Sequence, residues 1–282
     1  ARYWFTRAAD SGNAAAQYQV AVMASQGAGG PKDEATAALY YKKSLQTWKK
    51  EADDGDSKAA LWAALVYERK LVPDSSPEKS VPYLLQAAES GNLTAQGLLA
   101  FKYRDGLGVP QDAAKAVEWF EKAASRKDLG AVMELGIMFR DGKYLPPDRE
   151  KAFHWFEKGA EWKDPYSMAA LADMLLEGTP SAEQAARALA LYREAAAAGY
   201  FPAALKAAEL LQNGKGGELD ADEAYRLLRR VADATGDPKA MYMLAQVYYT
   251  RGDEAQGDSL MKASAQAAYL PAMNRMARLY LL

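Results

Sequence analysis

The chain has no cysteine and a single histidine among its 282 residues. The first absence excludes disulfides, thiolate metal sites and cysteine nucleophiles. The second leaves His154 as the one imidazole open to a histidine-based triad or a zinc site. Charge of one sign is also missing: 35 Lys and Arg stand against 37 Asp and Glu, a net charge of −2. No global pull toward nucleic acid or anionic lipid follows from that balance. Half the residues are apolar, yet no run approaches the roughly 18–20 consecutive apolar residues of a membrane span. The apolar residues come instead as short, alanine-rich amphipathic stretches. A cysteine-free chain is compatible with an oxidising envelope, where stray thiols mispair, and the alanine content points to a bacterial source.

What is present is repetition. Seven anchor stretches recur, beginning at Ala16, Ala59, Ala95, Ala131, Ser167, Ala203 and Ala240, and an eighth begins at Ala272. Successive anchors are 43, 36, 36, 36, 36, 37 and 32 residues apart. A period in this range marks a solenoid, in which each unit buries its apolar face only against its neighbours.

The third unit shows how one repeat is built. Ala95, Leu99, Ala100 and Tyr103 fall on one stripe of a helix. Asp105-Gly106-Leu107-Gly108-Val109-Pro110 supplies the stop. Asp112 then offers an N-cap for a second helix carrying Ala116, Trp119, Phe120, Ala123 and Ala124. The fourth unit copies it with Ala131, Leu135, Gly136, Phe139, Gly142, Asp148, Ala152, Trp155, Phe156, Gly159 and Ala160. Short side chains let two helices approach closely, and the aromatics fill the space beside that contact.

This pattern resembles the Sel-one-like repeat family, a branch of the tetratricopeptide-like helical solenoids. The third unit matches its motif at Ala95, Leu99, Tyr103, Gly106, Gly108, Val109, Asp112, Ala116, Trp119, Ala123 and Ala124, with Ala100 where the motif has glycine. The resemblance covers nearly the whole chain. It implies an all-α, right-handed superhelical solenoid of helix-turn-helix repeats that acts by binding, and it implies no reaction.

The expected organisation is a single repeat domain over 1–282. A half unit occupies 1–13, units start near 14, 57, 93, 129, 165, 201 and 238, and a half unit occupies 270–282. Three units depart from the pattern. The first is seven residues longer than its neighbours, about two helical turns, so its second helix is expected to continue through Leu45, Trp48 and Ala52. The second replaces both loop glycines with Lys70-Leu71-Val72-Pro73-Asp74-Ser75-Ser76-Pro77, where Ser76 and Pro77 read as N-cap and first helical position. The seventh is short at Arg251-Gly252-Asp253. At the ends, Trp4, Phe5, Ala8, Ala9 and Gly12 match a second helix without its first, and Met276, Ala277, Tyr280 and Leu282 a first helix without its second. Neither end carries an evident polar cap, and residue 1 is alanine, so the chain is expected to be a fragment, a processed form or part of something longer.

Signals for chemistry are weak. His154 takes a repeat position filled elsewhere by Glu118, Ala190 and Arg226, so a solvated histidine is expected. No serine sits in a nucleophile elbow. The glycines at 27, 29 and 30 and at 214, 216 and 217 lack both a preceding strand and the Walker spacing. Asp53 and Asp54 fall in a loop, and Asn92-Leu93-Thr94 fits a glycosylation sequon. No catalytic residue, metal site or cofactor is expected.

In tetratricopeptide-like solenoids the first helices line the concave face, so the resemblance turns the second, sixth and ninth residues after each anchor inward. In the N-terminal half these include Tyr18, Val22, Leu61, Leu65, Phe101, Met133 and Ile137, beside Arg104 and Arg140. Apolar and aromatic residues rimmed by arginine have the composition of a protein interface. In the C-terminal half the sixth position turns to Asp173, Glu209 and Gln246. The expected partner is another protein, not nucleic acid. Within that reading the chain is an adaptor or scaffold of an envelope assembly, or an immunity protein that blocks a toxin of a secretion system such as type VI. A regulator of an envelope enzyme or signalling pathway, or a hydrolase with a hidden carboxylate pair, stands as the alternative. The expected compartment is the bacterial periplasm or envelope. The double change Phe101→Asp and Ile137→Asp is expected to abolish partner binding with melting nearly intact. A bulky residue at Gly136 is expected to overpack its helix pair and cost about 1–3 kcal/mol, read from urea unfolding midpoints.

Overall fold

The computed structural model describes residues 1–217 and 219–279, and among the described residues there are sixteen helices and no strand. The helices fall into two compact units, Ala1–Asp148 and Arg149–Leu282. The first unit contains α1 (Arg2–Asp10), α2 (Ala14–Gln26), α3 (Glu34–Asp53), α4 (Ser57–Glu68), α5 (Pro77–Glu89), α6 (Leu93–Asp105), α7 (Ala113–Ala124) and α8 (Leu129–Asp141). The second contains α9 (Arg149–Glu161), α10 (Pro165–Leu175), α11 (Ala182–Ala197), α12 (Phe201–Asn213), α13 (Ala221–Thr235), α14 (Pro238–Thr250), α15 (Glu254–Gln266) and α16 (Leu270–Leu279). Within each unit every helix packs on the next one along the chain. Even-numbered helices are the first helices of the repeats and odd-numbered ones the second. Tyr280 and Leu282, expected on the last half unit, lie outside the described residues.

The repeat is punctuated by the same chemistry each time. Three residues before most anchors stands Asn or Asp, and its side-chain oxygen accepts the anchor's own backbone N–H. Asn13 does so from Ala16 at 2.8 Å, Asn92 from Ala95 at 3.0 Å and Asp128 from Ala131 at 2.8 Å. These bonds satisfy a donor that the first turn would otherwise leave free. Tyr200 holds this place before α12 and makes no such bond. Helices α2, α6, α8 and α12 end where Gly27, Gly106, Gly142 and Gly214 turn left-handed, a conformation that costs glycine nothing.

The anchor residue and the residues four and five positions after it are buried in all seven complete first helices. The fifth position is alanine or glycine throughout: Ala21, Ala64, Ala100, Gly136, Ala172, Ala208 and Ala245. The second helices answer with bulk, including Leu84, Phe120, Phe156, Tyr192 and Leu228, each nearly inaccessible. Buried glutamines tie consecutive repeats: Gln17 Nε2 donates to the Ala9 carbonyl at 3.2 Å, and Gln96, at the same repeat position, to Ala88 at 3.0 Å.

Helix α3 is 20 residues long and buries Leu45, Trp48 and Ala52 in its added turns. Pro77 opens α5 after Ser76, whose side chain makes no capping bond. Lys70 adopts the left-handed conformation, φ 53°, in the loop that lost its glycines. In α1, Trp4 is 67% exposed, whereas Trp119 and Trp155, at the corresponding place in α7 and α9, are 7% and 8% exposed.

The turn after α6 lies against the start of α5. Gly108 has φ +80°, and a Cβ there would stand 2.7 Å from both the Pro77 carbonyl oxygen and the Glu78 nitrogen. Gly108→Ala therefore combines a left-handed penalty with a backbone clash and is expected to cost about 2 kcal/mol or more in urea unfolding. Gly12→Ala, at φ +89° with open space around it, is expected to cost about 1 kcal/mol.

Candidate partner-binding surface

The first helices of the first unit present one face to the core and one edge to solvent. Tyr18 and Val22 on α2, Leu61 and Leu65 on α4, Phe101 and Arg104 on α6, and Met133, Ile137 and Arg140 on α8 are all half-buried. They are set apart from the anchor, fourth and fifth positions, which are fully withdrawn from water. The spacing explains this: the second, sixth and ninth residues lie on the flank of the buried stripe.

Neighbouring first helices are joined by side chains along this flank. Between α2 and α4 there is an aromatic cluster. The Tyr18 ring lies 5.5 Å from Tyr41, 5.6 Å from Trp48 and 5.7 Å from Trp62. Trp48 and Trp62 stack at 5.4 Å with planes 16° apart. Arg69 Nη1 donates to the Tyr18 hydroxyl at 2.8 Å. Trp48 is buried and belongs to the extension of α3, whereas Trp62 is 39% exposed. The added turns of α3 thus back an aromatic ring that faces water.

Between α6 and α8 the link is Arg104. Its Nε and Nη2 donate to the two carboxylate oxygens of Asp105, each at 2.9 Å, and Nη1 donates to Glu134 Oε2 at 2.7 Å. The guanidinium also stands 4.7 Å from the Phe101 ring centre and 5.3 Å from that of Tyr144, whose hydroxyl donates to Asp105 at 3.1 Å. The arginine's hydrogen bonds hold the Asp105 carboxyl below the usual aspartate range. Phe101 in turn meets the buried Phe120 edge-on at 5.1 Å. A change at Phe101 therefore reaches the core, so Phe101→Asp is a poor test of surface binding alone. Arg140 Nε donates to Asp141 at 2.6 Å.

Between α4 and α6 the link is a buried charge. Lys102 takes the place filled by Val66, Met138, Met174, Leu210 and Val247 in other repeats, and it is 4% exposed. Its Nζ lies 2.7 Å from Glu68 Oε1 and donates to the Leu107 carbonyl at 3.3 Å.

In the second unit the sixth position of the corresponding edge is polar. Asp173 and Glu209 are exposed, and lysines of the following first helix stand opposite, Lys206 at 3.8 Å from Asp173 and Lys239 at 3.9 Å from Glu209. The Tyr192 hydroxyl donates to Asp173, and burial first, then that carboxylate, pushes its pKa far up.

Sequence reasoning passed over Trp62 and Lys102. Trp62 follows its anchor by three residues, a place held in the other repeats by Gln19, Leu98, Glu134, Ala170, Lys206 and Met243; that mixture of polar and apolar residues carries no signal for an exposed aromatic. Lys102 is a charge at an apolar position, legible by the same comparison. His154 is exposed, with its ring 5.4 Å from Trp155. Gly27 and Gly214 serve as helix C-caps, and Asn92 as the N-cap of α6. Among the described residues no three His, Cys, Asp or Glu side chains converge as metal ligands, and no helix is long and apolar enough to cross a membrane.

Lys102→Ala leaves the half-buried Glu68 carboxylate without its cation and is expected to cost about 1–3 kcal/mol in urea unfolding. Lys102→Met combined with Glu68→Gln restores the repeat's apolar residue and removes both charges. It is expected to recover most of that loss.

Compared with known families, the chain matches the Sel1 repeat over residues 1–13, 14–46, 67–92, 94–128, 130–161, 165–200, 202–235 and 238–261. Two longer stretches are unmatched: 262–282 at the end of the chain, and 47–66, which holds the last turns of α3 and most of α4. A comparison with curated proteins finds no match. Among solved structures the chain is similar to a protective antigen of uropathogenic Escherichia coli strains displaying an SLR fold. Identity is 25% and the TM-score 0.64, over 99% of this chain and 62% of that one. The chain thus spans less than two thirds of that antigen's length. It is also similar to a Sel1 repeat protein from Oxalobacter formigenes, at 22% identity and TM-score 0.60, over 80% of this chain and 94% of that one. With the repeat motif matched in eight segments and the helices paired in the same order, the chain belongs to the Sel1 repeat family of the tetratricopeptide-like superfamily.

Proposed function

We propose that this chain is a non-catalytic interaction module that seats a protein partner on the first-helix edge of its first unit. The Sel1 repeat is a protein-interaction fold, and the observation that carries the choice of surface is Trp62. It is a large aromatic, 39% exposed, held by stacking on buried Trp48 and flanked by half-buried Tyr18, Leu61 and Leu65. A rigid aromatic that loses little conformational freedom on contact is the usual centre of a binding hot spot. Arg104 and Arg140 supply a polar rim beside it.

The finer role, immunity protein or adaptor, follows the identity of the partner, and the cysteine-free composition supports an envelope location. The test is affinity capture of the full-length protein from its own cells, comparing wild type with Trp62→Ala. The substitution is expected to cost about 1 kcal/mol of stability through the lost stack. It is expected to weaken the partner about 30-fold or more in a direct titration. A stoichiometric partner with a toxin or hydrolase domain makes the role immunity; an envelope or signalling component makes it adaptor. A partner that binds Trp62→Ala at full strength overturns the surface assignment.

A further inference from the structure

The two irregular repeats at the N-terminal end meet in a pocket built from their own departures from the pattern. The pocket has a volume of about 580 Å³ and lies between the long helix α3, the start of α5 and the glycine-free loop that joins α4 to α5. Its floor is apolar: Leu45 from the α3 extension, and Val72 and Pro73 from the loop. Tyr67 and Tyr83 form a second wall, their rings stacked at 6.2 Å with planes 22° apart.

Charge around this floor is one-sided. Lys42 and Lys49 come from α3 and Lys79 from α5, against Asp74 alone among the lining residues. Lys49 is half-buried and stands beside the tyrosine pair; Tyr67 first, then Tyr83, hold it above the ordinary lysine value, so it stays cationic. Tyr83 is itself held up by burial and keeps its proton to donate. None of these lysines forms part of the first-helix edge, where Arg104, Arg140 and Lys102 face carboxylates of their own chain. A cavity of this size, with an apolar base and a few convergent polar groups, has the make-up of a ligand site. The sign of its rim calls for an anionic occupant.

We propose that this pocket is a second docking site, taking an acidic segment of a protein partner that sets an aliphatic or aromatic side chain between its carboxylates. The apolar side chain covers Leu45, Val72 and Pro73, and the carboxylates reach Lys42, Lys49 and Lys79. The proposal shares with the preceding section the reading that the chain binds protein, and it uses a different surface.

The test is selection of a displayed random-peptide library on the full chain, followed by anisotropy titration of the labelled winners. The selected peptides are expected to carry Asp or Glu around a Leu, Ile or Phe. They are expected to bind about 30-fold more weakly to Lys42→Glu/Lys49→Glu/Lys79→Glu, to weaken with added salt, and to bind Trp62→Ala as they bind wild type. Should the triple variant unfold early, Lys42→Ala/Lys79→Ala changes only exposed groups and is expected to weaken binding about fivefold. Three results overturn the proposal: no enriched peptide, winners without acidic residues, or acidic winners indifferent to the lysine changes. A fourth is inorganic phosphate binding with the same lysine dependence while acidic peptides do not, which makes the site one for small anions. Loss at Trp62 with retention here, or the reverse, separates failure of this proposal from failure of the first-helix assignment.

Discussion

The close approach of the two helices within a repeat is the constraint on which the rest depends. It is made possible by one residue per repeat, five positions after the anchor, that is alanine or glycine in all seven complete first helices and buried in every one. With no side chain beyond a methyl at that point, the second helix can lie close and place its Trp, Phe, Tyr or Leu beside the contact. Within each unit the packing is local in sequence, each helix against the next. Stability is therefore a sum over neighbours, and a departure in one repeat is absorbed by the repeats on either side. That is why a helix lengthened by two turns and a loop stripped of glycine coexist with regular units.

Those two departures supply most of what distinguishes the first unit. The added turns of α3 bring Trp48 under Trp62 and Tyr18, and place Lys49 beside Tyr67 and Tyr83. The altered loop brings Val72 and Pro73 to the same place. One insertion thus creates an aromatic platform toward the first-helix edge and a basic pocket on its other flank. In the second unit the first-helix edge carries lysine–carboxylate pairs.

In the first unit the polar links between first helices differ from one pair of repeats to the next. Lys102 with Glu68, Arg104 with Glu134 and Arg69 with Tyr18 join α6 to α4, α8 to α6 and α4 to α2. A buried ion pair is rarely more stabilising than the apolar residues it displaces, while loss of one partner is costly. Lys102 and Glu68 thus bind the two repeats to each other and constrain which residues either can accept.

The sequence by itself determined the repeat, its period, the start and stop of nearly every helix and the buried face. These depend on interactions within a few residues of one another: an Asn or Asp capping the anchor's N–H, a glycine free to turn left-handed, an apolar stripe of helical period. It also determined that α3 would run long, because seven residues amount to two turns whatever they pack against. Tertiary structure alone decided which flank residues are exposed. Tyr18 and Phe101 lie on the same flank of their helices, two and six residues after the anchor, yet one leans on tryptophans from α3 and α4 and the other on Phe120 under Arg104. Trp62, at a position that is polar in some repeats and apolar in others, proved to be the ring facing water. Exposure at such positions is set by side chains on other helices, several turns or more away in sequence, and local periodicity carries no record of them.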